Sequence, residues 1–140
     1  RKESSAASDV YKRQIKGAMV VNGSDGLDEI TMTGKTHVCE VKDGKISTYD
    51  IDPHDYGFEY CTADVLKGGT PEENAKMTLD ILTGKDKGAR RNTVLLNAGC
   101  AIYCAGKAAT IADGVKLAAE MIDSGKAYDK LNEMKDFTNS

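Results

Sequence analysis

The sequence predicts a mixed α/β domain with its strands first and its helices after, and three features carry that prediction. Short apolar or alternating runs occupy residues 15–51, broken by Gly, Asn and Asp clusters. Asp43-Gly44 sits between two such runs, and a two-residue turn with positive φ at both positions favours that pair. From Thr70 onward the apolar residues instead recur at helical spacing, after a capping signal. Strands followed by helices place the chain in a mixed class without fixing its topology.

Ile15 to Val21 reads as a strand, and its apolar composition suggests burial on both faces. It runs into Asn22-Gly23-Ser24-Asp25-Gly26, residue types that favour turns, with Asn22 itself taken as turn-forming. Ile30 and Met32 alternate with Thr31 and Thr33, as on a short strand with the apolar pair inward. Thr36 to Lys42 and Lys45 to Ile51 form the hairpin around Asp43-Gly44, with an imperfect alternation that leaves its buried face open. Asp52 to Gly69 reads as irregular, with a short helical turn near Thr62 to Leu66. Thr70 caps the next helix, with Pro71 at its first position and Glu73 completing a capping box. Ala75, Leu79 and Leu82 share its face, and Gly84 stops it.

Lys85, Lys87, Arg90 and Arg91 form a cationic stretch, open to phosphate binding or to a solvated loop. Arg90 to Ala105 is apolar nearly all round, as a buried helix would be, and Gly99 permits close approach of a neighbour. Cys100 and Cys104 share a helix face at a spacing better suited to two reduced thiols than to a bridge. Thr110 starts a helix with Asp113 in the capping-box position and Ile111, Val115, Ala118 and Ile122 inward. Gly125 ends it. Lys126 to Phe137 forms a last helix with Ala127, Leu131 and Met134 inward.

The chain has 140 residues, a formal charge of -3 and four cysteines without CxxC spacing. That length fits one domain, and the charge offers no basic field for nucleic acid or anionic membrane. No run reaches the length of a transmembrane helix. The expectation is a cytoplasmic protein with reduced cysteines. Arg1 to Gln14 is polar and aperiodic, and residues 1–14 are set apart as an unmatched, disordered or foreign leader. The folded part is then residues 15–140.

The chemistry concentrates at Asp28 and Glu29. Adjacent side chains on a regular strand diverge, so two carboxylates reaching one ligand need an irregular backbone, which Gly23 and Gly26 allow. Two hard oxygen donors in such a turn suit Mg²⁺, which keeps waters and substrate phosphates as its other ligands. An EF-hand reading of the same turn fails, because Met32 stands where the bidentate Glu belongs.

Gly23-Ser24-Asp25-Gly26-Leu27-Asp28-Glu29 resembles the acidic metal-binding motif of the anthranilate phosphoribosyltransferases. Thr31-Met32-Thr33-Gly34-Lys35-Thr36, Asp52-Pro53-His54-Asp55-Tyr56-Gly57, Lys67-Gly68-Gly69 with Glu72-Glu73-Asn74-Ala75, Val94-Leu95-Leu96-Asn97-Ala98-Gly99 and Ile122-Asp123-Ser124-Gly125-Lys126-Ala127 resemble later family blocks in the same order. The resemblance covers roughly the last third of that family. It implies the C-terminal part of a mixed-sheet α/β domain shared in fold with pyrimidine nucleoside phosphorylases. It further implies transfer of phosphoribosyl from phosphoribosyl pyrophosphate to anthranilate, Mg²⁺ on Asp28 and Glu29, and a homodimer formed through an upstream helical domain. The family's Gly-rich pyrophosphate loop, its Lys-His-Gly-Asn-type segment and its anthranilate-contacting arginine have no counterpart here, so the chain alone is expected to be inactive. No catalytic residue is assigned. Asn22 stands where many relatives carry His, Arg91 where they commonly carry an acid, and neither His37 nor His54 falls in a catalytic motif. The rival readings are another phosphoribosyl- or nucleoside-transferring enzyme of the same fold, and a non-catalytic Mg²⁺-binding module.

Overall fold

A computed structural model of the chain describes residues 17–139; the leader assigned to residues 1–14 lies outside them. Strands β1 (Gly17–Gly23), β2 (Thr36–Lys42) and β3 (Lys45–Ile51) form an antiparallel sheet in that order. Gly17 pairs with Lys42 and Gly23 with Thr36, while Thr36 pairs with Ile51. A 3-10 turn at Pro53–Tyr56 follows, then α1 (Ala63–Leu66), α2 (Pro71–Leu82), α3 (Ala89–Cys104), α4 (Ile111–Asp123) and α5 (Lys126–Asn139).

The local signals in the sequence act as expected. Asp43 (φ 52°) and Gly44 (φ 78°) make the β2–β3 turn, with the positive φ values that a type I′ hairpin requires. Thr70 Oγ1 accepts the Glu73 amide at 3.2 Å, and the Glu73 carboxylate accepts the Thr70 amide at 3.2 Å. Two of the orphan amides that open α2 are thereby satisfied. Thr110 caps α4 by accepting the Asp113 amide at 3.1 Å. Ile111, Val115, Ala118 and Ile122 are all buried, so the whole α4 stripe faces the core.

Four expectations need correction. Ile30 and Met32 are buried, but residues 24–35 form no strand. Thr31 is buried beside them, its hydroxyl hydrogen-bonded to Asp25 in the loop and its amide to Thr36 at the start of β2. β1 is not buried on both faces: Val20 is 39% exposed, on an outer strand of the sheet. Asn22 belongs to β1, opposite His37, so the turn begins after it. α3 buries Leu95, Leu96, Gly99 and Cys100 but leaves Val94 exposed, so its apolar circumference is only partly covered.

Smaller differences concern which residues turn inward. In α2 the core residue is Ile81, at the end of the helix, while Ala75 is exposed. Only the last turns of α2 reach the core. In α5 Ala127 and Leu131 are partly covered but Met134 is exposed, one turn beyond the edge of the packed surface. On β2 the buried face includes Thr36, Val38 and Glu40. An acid tolerates burial when its oxygens find donors. Tyr49 gives its hydroxyl to Glu40 Oε2 at 2.8 Å and Tyr103 gives its own to Oε1 at 2.6 Å. Lys42 lies over the Tyr103 ring, 4.7 Å from its centre. The hydrogen bond to Glu40, aided by burial, pushes the Tyr103 hydroxyl up to about 12. This cluster ties the hairpin to the last turn of α3.

The four cysteines are free thiols, and burial pushes Cys100 up to about 12. Among the described residues no helix is long and apolar enough to cross a membrane.

α3 and α4 pack backbone to backbone. A methyl group on Gly99 would lie 2.6 Å from the Val115 amide nitrogen, and one on Gly114 would strike the Gly99 carbonyl. Both glycines are there because no larger residue fits. Gly99→Ala should therefore cost about 1–3 kcal/mol through overpacking. Urea unfolding followed by circular dichroism measures it, and Ala98→Gly, on the partly covered side, serves as the comparison.

Candidate functional site

The acidic turn connects β1 to β2 and is held by its own hydrogen bonds. The Gly23 amide donates to the Leu27 carbonyl at 2.9 Å, the Gly26 amide to the Gly23 carbonyl at 2.9 Å, and the Ser24 amide to the Lys35 carbonyl at 3.0 Å. Gly26 takes φ 87°, a conformation that costs a glycine little. Gly23 is buried, and a methyl group there would lie 2.6 Å from Asp25 Oδ1.

Asp25 is the centre of this network. Its Oδ1 accepts the Leu27 amide at 3.1 Å. Its Oδ2 accepts the Thr31 hydroxyl at 2.5 Å and the Thr33 hydroxyl at 2.8 Å. The Thr33 amide donates to Thr31 Oγ1 at 3.1 Å, and the Thr31 amide to Thr36 Oγ1 at 3.0 Å. Burial works to raise the Asp25 carboxyl, but the hydrogen bonds from Thr31, Thr33 and Leu27 outweigh it and hold the group below the usual carboxylate range.

Asp28 and Glu29 stand on the outer side of this turn, both exposed. Neither carboxylate takes a hydrogen bond or ion pair from another described residue. Glu29 lines an open cleft of about 810 Å³, with Asp25, Thr33, Lys67, Asn74, Arg90 and Thr93 among its other walls. Asp28 is its neighbour in sequence but not part of that wall. Among the described residues no group of three or more His, Cys, Asp and Glu gathers as a complete metal cage. Two unengaged carboxylates on one turn, Glu29 on the cleft wall and Asp28 next to it in the chain, fit the donor set of Mg²⁺ when water or phosphate supplies the remaining oxygens.

Asn97, halfway along α3, reaches this turn from below. Its Oδ1 accepts the Ile30 amide at 3.0 Å, and its Nδ2 donates to the Ile30 carbonyl at 2.8 Å and to the Thr93 carbonyl at 2.9 Å. The sequence placed Asn97 in a helix apolar nearly all round and Asp25 in a turn-forming cluster, without pairing either with its partners. A polar residue inside such a helix, and threonines two apart beside a turn, were the available signals for both. Their partners lie too far along the chain, or too irregularly placed, for a periodicity argument to pair them.

The cationic stretch divides. Arg91 joins α3 to the end of α4, with Nη1 at 3.0 Å from Asp123 Oδ1 and Nη2 donating to Oδ2 at 3.1 Å. That pairing accounts for a cation at this position. Arg90 turns to the cleft and donates to the Lys67 carbonyl at 3.4 Å. His37 pairs with Asp50 at 2.9 Å and His54 stacks on Tyr60, both away from the cleft walls.

A family model described as the glycosyl transferase family, a/b domain, matches residues 2–128. The chain is 52% identical over 126 residues to an anthranilate phosphoribosyltransferase of Methanobrevibacter smithii, covering 90% of this chain and 37% of that relative. It superposes on a crystal structure of anthranilate phosphoribosyltransferase from Thermus thermophilus with a TM-score of 0.85 and 36% identity, covering 96% of this chain and 39% of the other. The Saccharomyces cerevisiae enzyme in complex with phosphoribosyl pyrophosphate and Mg matches with a TM-score of 0.73 and 27% identity, over 81% of this chain and 33% of that one.

The lowered Asp25 carboxyl has a consequence for stability. A carboxyl whose folded pKa is depressed adds stability that is present above its unfolded value, near 4, and is lost as pH falls through the folded value. Thermal unfolding from pH 7 to pH 2 should show that loss, and Asp25→Asn should flatten the acid limb while lowering Tm at neutral pH.

With its hairpin, its glycine-packed helix pair and its acidic turn in place, the chain belongs to the glycosyl transferase family, a/b domain, and is similar there to about a third of an anthranilate phosphoribosyltransferase.

Proposed function

We propose that this chain is the C-terminal part of an anthranilate phosphoribosyltransferase that carries one of its Mg²⁺ sites on Asp28 and Glu29. In that reaction the anthranilate nitrogen bonds to C1 of the phosphoribosyl group as the bond from C1 to pyrophosphate oxygen breaks. The observation that carries the reading is the pair of carboxylates left unengaged on a turn that is otherwise closed by hydrogen bonds. When bound, Mg²⁺ supplies charge neutralisation for the leaving pyrophosphate and a template for its oxygens. The residues of the chain have simpler tasks. Asp28 and Glu29 offer oxygen ligands, Asp25 keeps the turn from opening, and Arg90 places a positive charge on the cleft wall shared with Glu29. Alignment and charge stabilisation account for much of such a displacement, and little covalent help is needed.

The chain spans 37% of the length of the Methanobrevibacter relative. In this reading it is inactive alone, since its sequence holds no counterpart of the family's pyrophosphate loop or anthranilate-contacting arginine. The complete enzyme works in the cytoplasm, as a homodimer joined through an upstream helical domain. The full-length gene should rescue a tryptophan auxotroph blocked at this step. Asp28→Asn with Glu29→Gln should abolish that rescue while the variant keeps its circular dichroism spectrum and Tm. Continued growth of the double variant without added tryptophan would overturn the assignment of the metal to these residues.

A further inference from the structure

We propose that Asn97 is a positioning residue for the acidic turn, acting on metal binding through the backbone of Ile30. The proposal deepens the Mg²⁺ reading above and rests on it.

An asparagine in the middle of a helix is a poor helix former, because its side chain competes for backbone groups. Here every proton of its amide is used. Nδ2 gives one to the Thr93 carbonyl on its own helix and one to the Ile30 carbonyl, while Oδ1 takes the Ile30 amide. The side chain thus meets Ile30 as a neighbouring strand would, occupying both its donor and its acceptor. Ile30 directly follows Glu29, so the peptide plane between them is fixed from α3. The next amide, that of Thr31, is fixed by Thr36 Oγ1 at 3.0 Å. Ile30 is also 2% exposed, so its side chain anchors the same point in the core. On the other side of the carboxylates, Leu27 is held by Asp25 through its amide and by Gly23 through its carbonyl. Asp28 and Glu29 are therefore the two residues left between fixed points.

α3 has a second connection to the site. Its first turns carry Arg90, Thr93 and Val94 on the wall of the cleft that Glu29 also lines. One rigid helix thereby sets both the wall and the turn, and Asn97 is the side chain that joins them. Groups that orient metal ligands typically change metal affinity 10–100-fold when removed.

The test uses the full-length enzyme carrying this sequence. Mn²⁺ binding is followed by electron paramagnetic resonance with phosphoribosyl pyrophosphate present, and amide exchange is followed at Ile30 and Thr31. Asn97→Leu keeps the branching at Cγ and removes all three hydrogen bonds. It should weaken Mn²⁺ binding by roughly 10–100-fold and speed exchange of the Ile30 amide. Val115→Ala, a packing change between α3 and α4, should lower Tm and leave Mn²⁺ affinity unchanged. Asn97→Ser, whose hydroxyl is too short to reach Ile30, repeats the measurement should the leucine variant fail to fold. If Asn97 variants bind Mn²⁺ as tightly as the parent while Asp28→Asn with Glu29→Gln binds it weakly, the positioning role is wrong and the metal site stands. If the double carboxylate variant also binds normally, the metal reading fails first. Equal weakening by Val115→Ala would reduce Asn97 to a general packing residue and overturn the proposal.

Discussion

The close approach of α3 and α4 is the constraint on which the rest of the structure depends. Gly99 and Gly114 bring the two backbones together, and the Val115 backbone and side chain lie against Gly99, which fixes one helix along the other. With its register fixed, α3 delivers Asn97 to the acidic turn at one level and Tyr103 to Glu40 nearly two turns later. The sheet and the turn are therefore both located relative to one helix. Arg91 adds a further tie to the same pair, at the far end of α4.

What was legible in the sequence follows the range of the interactions. Asp43-Gly44, the Thr70–Glu73 box and the Ile111–Ile122 stripe obey rules that operate within a few residues, and each appears where expected. Ile30 and Met32 were legible as core residues but not as loop residues. Thr31 between them is buried as well, held by hydrogen bonds to Asp25 and Thr36 and not by a strand ladder. The buried face of β2 stayed open in the sequence because Glu40 looks like a solvent residue until Tyr49 and Tyr103 are seen to satisfy it.

The candidate site shows the same division. The two carboxylates stood out by residue type and by their glycine borders. The groups that shape their surroundings did not, because Asn97 is 67 residues away from Ile30 in sequence. A turn of this kind needs long-range support wherever its own residues are committed to a ligand. Here the polar side chains of Asp25, Thr31 and Thr33 are spent on one another, and Asp28 and Glu29 are left unengaged.

Under the proposed Mg²⁺ reading, the closed turn bears on how tightly a small, strongly hydrated ion would be held. A flexible acidic loop would lose much of its conformational freedom when it grips a cation, and that loss subtracts from affinity. With Leu27 and Ile30 already fixed on either side, most of that ordering has taken place during folding. In that reading, affinity would be limited mainly by exchanging the ion's water for carboxylate oxygen, a solvation problem and no longer a problem of chain entropy.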